Sequence, residues 1–237
     1  MINLRSYEID KLANSVIKRY KEYTDTEWDL FNIDPMTLAE VCGYEIKFID
    51  FGDESDILGF TAFNNMTVTV TDVNQTDLTL DLTDKSIVIN EALKRGCVGR
   101  LNFTIAHEVA HHIIEKVCSA DYSVKYRQLP HFEKSHGCYS LDYDEYMANQ
   151  LAAAILMPSE FIDLVFGKLF GTNRVERIHS ILDKFEFKKF CALAAMFGVS
   201  KEALAIRLQK MGKLGEYRYA GYEHLLDVFP STEDTAA

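Results

Sequence analysis

Apolar residues recur every three or four positions at the start of the chain. Ile9, Leu12, Ala13, Val16, Ile17 and Tyr20 form one stripe and predict a helix over residues 6–23. Asp34-Pro35 reads as the cap and first residue of a short helix that Gly43 ends. The period then changes to two. Residues 45–51 alternate and predict a strand, and residues 59–65 and 67–71 predict a hairpin turning at Asn64-Asn65. The Asp-, Thr- and Asn-rich residues 72–85 read as loop. Residues 86–90, β-branched at positions 87, 88 and 89, predict a further strand.

Two apolar, helix-compatible segments follow. In the first, Phe103, Ala106, Ala110, Ile113, Ile114 and Val117 fall along one side as a core stripe, with polar residues at its edge. The second begins near Leu141, runs through an Ala-, Leu- and Met-rich stretch and stops at Pro158. Beyond it the pattern is helical over 161–170 and 174–185. From Phe190 on it predicts two helices joined at Gly198-Val-Ser200, with Ser200 as cap. A small sheet followed by helices gives an α+β class. The division expected is residues 1–165 as the core with its N-terminal helix, and 166–237 as a helical C-terminal region.

Composition narrows the possibilities. With 237 residues, 48% of them apolar, the chain is long enough to bury a full core. A net charge of −11 disfavours non-specific nucleic-acid binding and favours a basic protein partner. No segment has the length of a membrane span, and the first residues lack a signal-peptide pattern. Five scattered cysteines make no disulfide framework. Reduced thiols in the cytoplasm are the simplest account.

The chemistry concentrates in Phe103-Thr-Ile-Ala-His107-Glu108-Val-Ala-His111-His112. On a helix turning about 100° per residue, His107 and His111 lie one turn apart on nearly one face. Two imidazoles so placed can share a zinc ion. Glu108 stands beside the metal, where a general base takes a proton from an activated water. His112 is about 140° from His107, too far round for the same ion, and reads as a surface or cap histidine. A third ligand is needed. Glu145, at the start of the second segment, offers a carboxylate, and Asp142 and Asp144 compete with it. Asn149, four residues on, shares the Glu145 face and could hold a ligand in place.

Three segments together resemble the ImmA/IrrE family of bacterial metallo-endopeptidases. They are Ser86-Ile-Val-Ile-Asn90, the His-Glu-x-x-His segment, and Glu145-x-x-Ala-Asn149-x-Leu-Ala-Ala-x-Ile-Leu-Met157-Pro158. The resemblance covers residues 34–210 or so, and Leu151 and Ile155 stand where the family carries Phe and Leu. It implies a zincin-type core with His107, His111 and Glu145 as zinc ligands and Glu108 as base. It also implies cleavage of helix-turn-helix repressors that control mobile elements or stress genes. Manganese or iron could use the same donors.

Residues 119–141 lengthen the spacer between the two motif helices and carry His131, His136 and Cys138, with Cys118 just before. They could build a second metal site. Without a tight Cys pair, a loop over the cleft is the simpler reading. The C-terminal helix pair also admits two readings. One is a DNA-reading helix that relies on Lys201, Arg207 and Lys210, in a transcription regulator or interaction protein with structural zinc. The other is a structural pair packed on the core, favoured in so acidic a chain.

Overall fold

The computed structural model describes residues 4–26, 32–118, 131–134 and 143–218, with positions 118, 131–134 and 218 described through their backbone. Helix α1 (Ser6–Thr24) buries Ile9, Ala13, Ile17 and Tyr20, the stripe that its periodicity predicts. Helix α2 (Pro35–Cys42) starts where Asp34 Oδ2 accepts from the Thr37 amide at 2.9 Å, and ends at Gly43, whose φ of 81° suits a residue without Cβ.

Five strands come next: β1 (Glu45–Ile49), β2 (Ile57–Thr61), β3 (Met66–Thr71), β4 (Asp77–Leu82) and β5 (Ser86–Asn90). A 3-10 turn (Glu91–Arg95) leads into helix α3 (Val98–Cys118). Strand β6 (His131–Lys134) precedes α4 (Tyr143–Leu156) and α5 (Ser159–Phe170). Strand β7 (Val175–His179), helices α6 (Lys184–Met196) and α7 (Lys201–Lys210), and strand β8 (Leu214–Arg218) complete the described chain. The class is α+β, with small, mostly antiparallel sheets.

The main sheet has the order β1-β5-β2-β6. β1 runs parallel to β5, whereas β2 is antiparallel both to β5 and to β6. Three expectations are corrected here. β2 does not form a hairpin with β3; it pairs Phe60 with Val88 of β5, and both side chains are fully buried. The expected loop at 72–85 contains β4, which pairs with β3 along its whole length. Its Asp77-Leu-Thr-Leu-Asp-Leu82 alternation is strand-like, and its apolar side packs against Phe60, Ala62 and Val88 with the apolar side of β3. The expected helix at 174–185 begins instead as β7, which pairs in parallel with β8.

Asn90 ties the β1–β2 connection to the end of β5. Its Oδ1 accepts from the Phe51 and Ala92 amides, and its Nδ2 donates to the Gly52 and Ile57 carbonyls, at 3.0–3.1 Å. All the hydrogen-bonding capacity of the amide that this position can use fixes where β2 begins.

A single cluster of buried side chains extends from Ile9 to Leu214 and includes α6 and α7. The α6–α7 turn sits on the start of α3. Asn102 Nδ2 donates to the Gly198 carbonyl at 2.8 Å, and Gly99 lies against the Val199–Ser200 backbone. Ser200 caps α7 as its sequence predicts, accepting from the Ala203 amide at 3.1 Å. Among the described residues no helix is long and apolar enough to cross a membrane.

Candidate metal centre

Helix α3 is buried on every side from Thr104 to Ile114. It runs between the sheet, through β2 and β5, and helices α2 and α4. The single core stripe expected from sequence is therefore too narrow: Val117, placed in it, is 49% exposed, while the polar residues of the motif are enclosed. Its most extensive packing is against α4. Fully buried alanines on both helices, Ala106 and Ala110 on one and Ala148 and Ala152 on the other, suit a close approach.

That approach brings the ligand candidates together. His107 Nε2 and His111 Nε2 are 2.9 Å apart. Glu145 Oε2 lies 3.3 Å from His107 Nε2, and Glu145 Oε1 lies 3.3 Å from His111 Nε2. Burial opposes charge on Glu145, but the two imidazoles that bond to it outweigh that effect and hold its carboxyl well below the usual carboxylate range. Donors bound at about 2.0–2.1 Å in a tetrahedral shell stand roughly 3.3 Å from one another. The spacing seen thus fits one ion, and the two imidazoles and one carboxylate, the donors found among the described residues, are a set that suits zinc.

Asp144 is not part of this group, and Asp142 lies outside the described residues. Asn149 is half-buried on α4, one turn on from Glu145. His136 and Cys138 also lie outside the described residues, as do the side chains of Cys118 and His131.

His112 is not a surface or cap residue. It is 2% exposed, stacked on Tyr44 with ring centroids 4.1 Å apart, with Phe63 edge-on at 5.4 Å. Burial, aided by Lys116, pushes its imidazole down to about 4, so it is neutral at physiological pH and packs as an aromatic ring. The angular argument that kept it off the metal holds, because it lies outside the triad.

Glu108 is fully buried beside His107, and Thr61 Oγ1 of β2 donates to its Oε2 at 2.6 Å. Thr61 is a site residue that the sequence reading missed. The signal available was a hydroxyl inside the apolar run Ile57-Leu-Gly-Phe-Thr61-Ala62.

The three cations invoked for DNA reading are engaged within the protein. Arg207 is buried and donates from Nη2 to Asp10 Oδ1 at 2.9 Å and from Nε to the Met157 carbonyl at 3.3 Å. Lys201 stands over the Phe187 ring and Lys210 over the Tyr146 ring.

No curated protein matches the chain. A solved structure described as a Mycobacterium tuberculosis transcriptional regulator aligns at 15% identity with a TM-score of 0.40, over 87% of this chain and 52% of that one. The chain thus spans about half the length of that protein. The model of the family Peptidase_M78, described as the IrrE N-terminal-like domain, matches residues 63–209. This stretch holds the His-Glu-x-x-His helix and the Glu145 helix whose side chains converge in the triad, and the chain belongs to the Peptidase_M78, IrrE N-terminal-like, family.

Proposed function

We propose that the protein is a zinc-dependent endopeptidase that cleaves a helix-turn-helix transcriptional repressor. The observation that carries the reading is the meeting of His107, His111 and Glu145 within one ion's reach, with Glu108 enclosed beside them. A zinc ion held by those three residues would supply a water readily deprotonated near neutral pH and would polarise a peptide carbonyl. Glu108 accepts the proton of the attacking water and returns it to the leaving amine. His107 and His111, fixed on a helix buried all round, keep the site rigid. Glu145 closes the donor set from a second helix, so the site exists only when α3 and α4 are docked.

The repressor as substrate rests on the family and on charge. A surface of net charge −11 draws a basic, DNA-binding protein and steers its approach. The rival reading, a DNA-contacting regulator with a structural metal, is weakened by the burial of Arg207 and by a donor set that, among the described residues, numbers three rather than four.

The test uses Glu108→Gln. Zinc-loaded wild-type protein, incubated with a purified repressor encoded beside its gene, should yield two fragments by mass spectrometry. The variant should retain one equivalent of zinc and lose at least about 100-fold in cleavage rate. Full cleavage by the variant ends the proposal. A repressor left intact while other proteins are cut would remove the substrate assignment alone.

A further inference from the structure

We infer that Thr61 is a positioning residue for Glu108: its hydroxyl fixes the carboxylate in the orientation from which proton transfer takes place. The inference rests on the reading of Glu108 as the general base.

The geometry begins with how β2 lies along α3. Two residues of strand advance about 6.7 Å and four residues of helix about 6 Å, so a strand beside a helix can match positions i and i+2 with j and j+4. That match occurs here. Gly59 lies against Thr104, and Thr61 lies against Glu108. A Cβ on Gly59 would come 3.0 Å from Ile89 Cδ1, 3.1 Å from the Val88 carbonyl and 3.3 Å from Thr104 Cγ2. The missing side chain therefore leaves room for the strand to lie close against both β5 and the helix. That close approach in turn lets a short Thr side chain reach the acid.

Thr61 and Glu108 are both fully buried, 47 residues apart in sequence. A hydroxyl at such a position is costly unless it is paired, and Val would fill the same space. The hydroxyl has one proton to give. It stands 2.6 Å from Glu108 Oε2 and 3.3 Å from the Glu108 carbonyl, so the proton goes to the carboxylate. A bond from a neutral donor to an ionised acceptor is shorter and stronger than one between neutral groups. Holding Oε2 removes the rotation of the carboxylate about its terminal torsion, which is otherwise broad. The plane of the group, and with it the direction of Oε1, is then set by the sheet.

Zinc-loaded wild type, Thr61→Val, Thr61→Ser, Glu108→Gln and the Thr61→Val/Glu108→Gln double variant separate this role from a structural one. Two probes are used: fluorescein-labelled casein for turnover, and acetohydroxamic acid for binding by calorimetry. The hydroxamic acid chelates the ion and gives its proton to the neighbouring base, so it reads the Thr61–Glu108 contact without turnover. Thr61→Val should keep one equivalent of zinc, lose roughly 10–100-fold in kcat with KM unchanged, and bind the hydroxamate more weakly. Thr61→Ser should restore both. In the double variant the hydroxamate Kd should equal that of Glu108→Gln alone, because Thr61 acts only through Glu108. Wild-type turnover and affinity in Thr61→Val overturn the inference, as do losses that add in full in the double variant, or loss of zinc from both Thr61 variants. Wild-type behaviour in Glu108→Gln is a different result: it removes the base and the inference with it.

Discussion

Arg207 shows how a residue acquires its role from its surroundings. On α7 it occupies a position where a DNA-reading helix would present a cation, yet its side chain is 6% exposed and held by Asp10 and the Met157 carbonyl. It joins α1, the end of α4 and α7. A buried guanidinium that loses its partner is an uncompensated charge, which costs about 3–5 kcal/mol. Asp10 is about one-third exposed, so the lower end applies. Asp10→Ala is expected to lose about 3 kcal/mol in urea unfolding; a loss under about 1 kcal/mol would show that water already serves the guanidinium. Residues whose chemistry is local were legible in the sequence. His107, Glu108 and His111 sit in one helical turn, and a periodicity of 3.6 fixes their relation. Thr61 and the Arg207–Asp10 pair were not, because their partners lie 47 and 197 residues away and only packing brings them near.

Elements meet here through positions without side chains. Gly99, at the start of α3, has no room for a Cβ: one would collide with the Val199 and Ser200 backbone in the α6–α7 turn. Backbone cannot yield as a flexible side chain can. Gly99→Ala is expected to cost roughly 1–3 kcal/mol or more by overpacking. It should also raise hydrogen exchange first at the Gly198 and Val199 amides, which bond to the Ala195 and Ala194 carbonyls in that turn. Unchanged stability and exchange would mean that the turn is not seated on α3 as described. Helices with clear caps were legible: Asp34 and Ser200 both cap as their residue types predict. Strands were less so. β4 was obscured by its Asp and Thr content although it alternates. β7 pairs with β8, some forty residues later, and a parallel pair leaves no hairpin signal in between. β2 was readable as apolar, but its partner was not, since Phe60 meets Val88 rather than the adjoining strand.

At the scale of the whole molecule, the site is a consequence of assembly. Two imidazoles come from α3 and the carboxylate from α4, so the ligand spacing depends on how these two helices pack. Metal binding and docking of the two helices are therefore linked. An ion that binds the folded state alone stabilises it, by about 4 kcal/mol at a free concentration 1,000 times its Kd. For a chain of this size that is roughly a ten-degree rise in Tm. Calorimetric unfolding of wild type and Glu145→Ala, each with and without zinc, reads this directly. The account predicts a rise of that order in wild type at one bound zinc per chain, and its near disappearance in Glu145→Ala. No rise in wild type, or an equal rise in Glu145→Ala, would contradict the convergence of His107, His111 and Glu145 on a single ion.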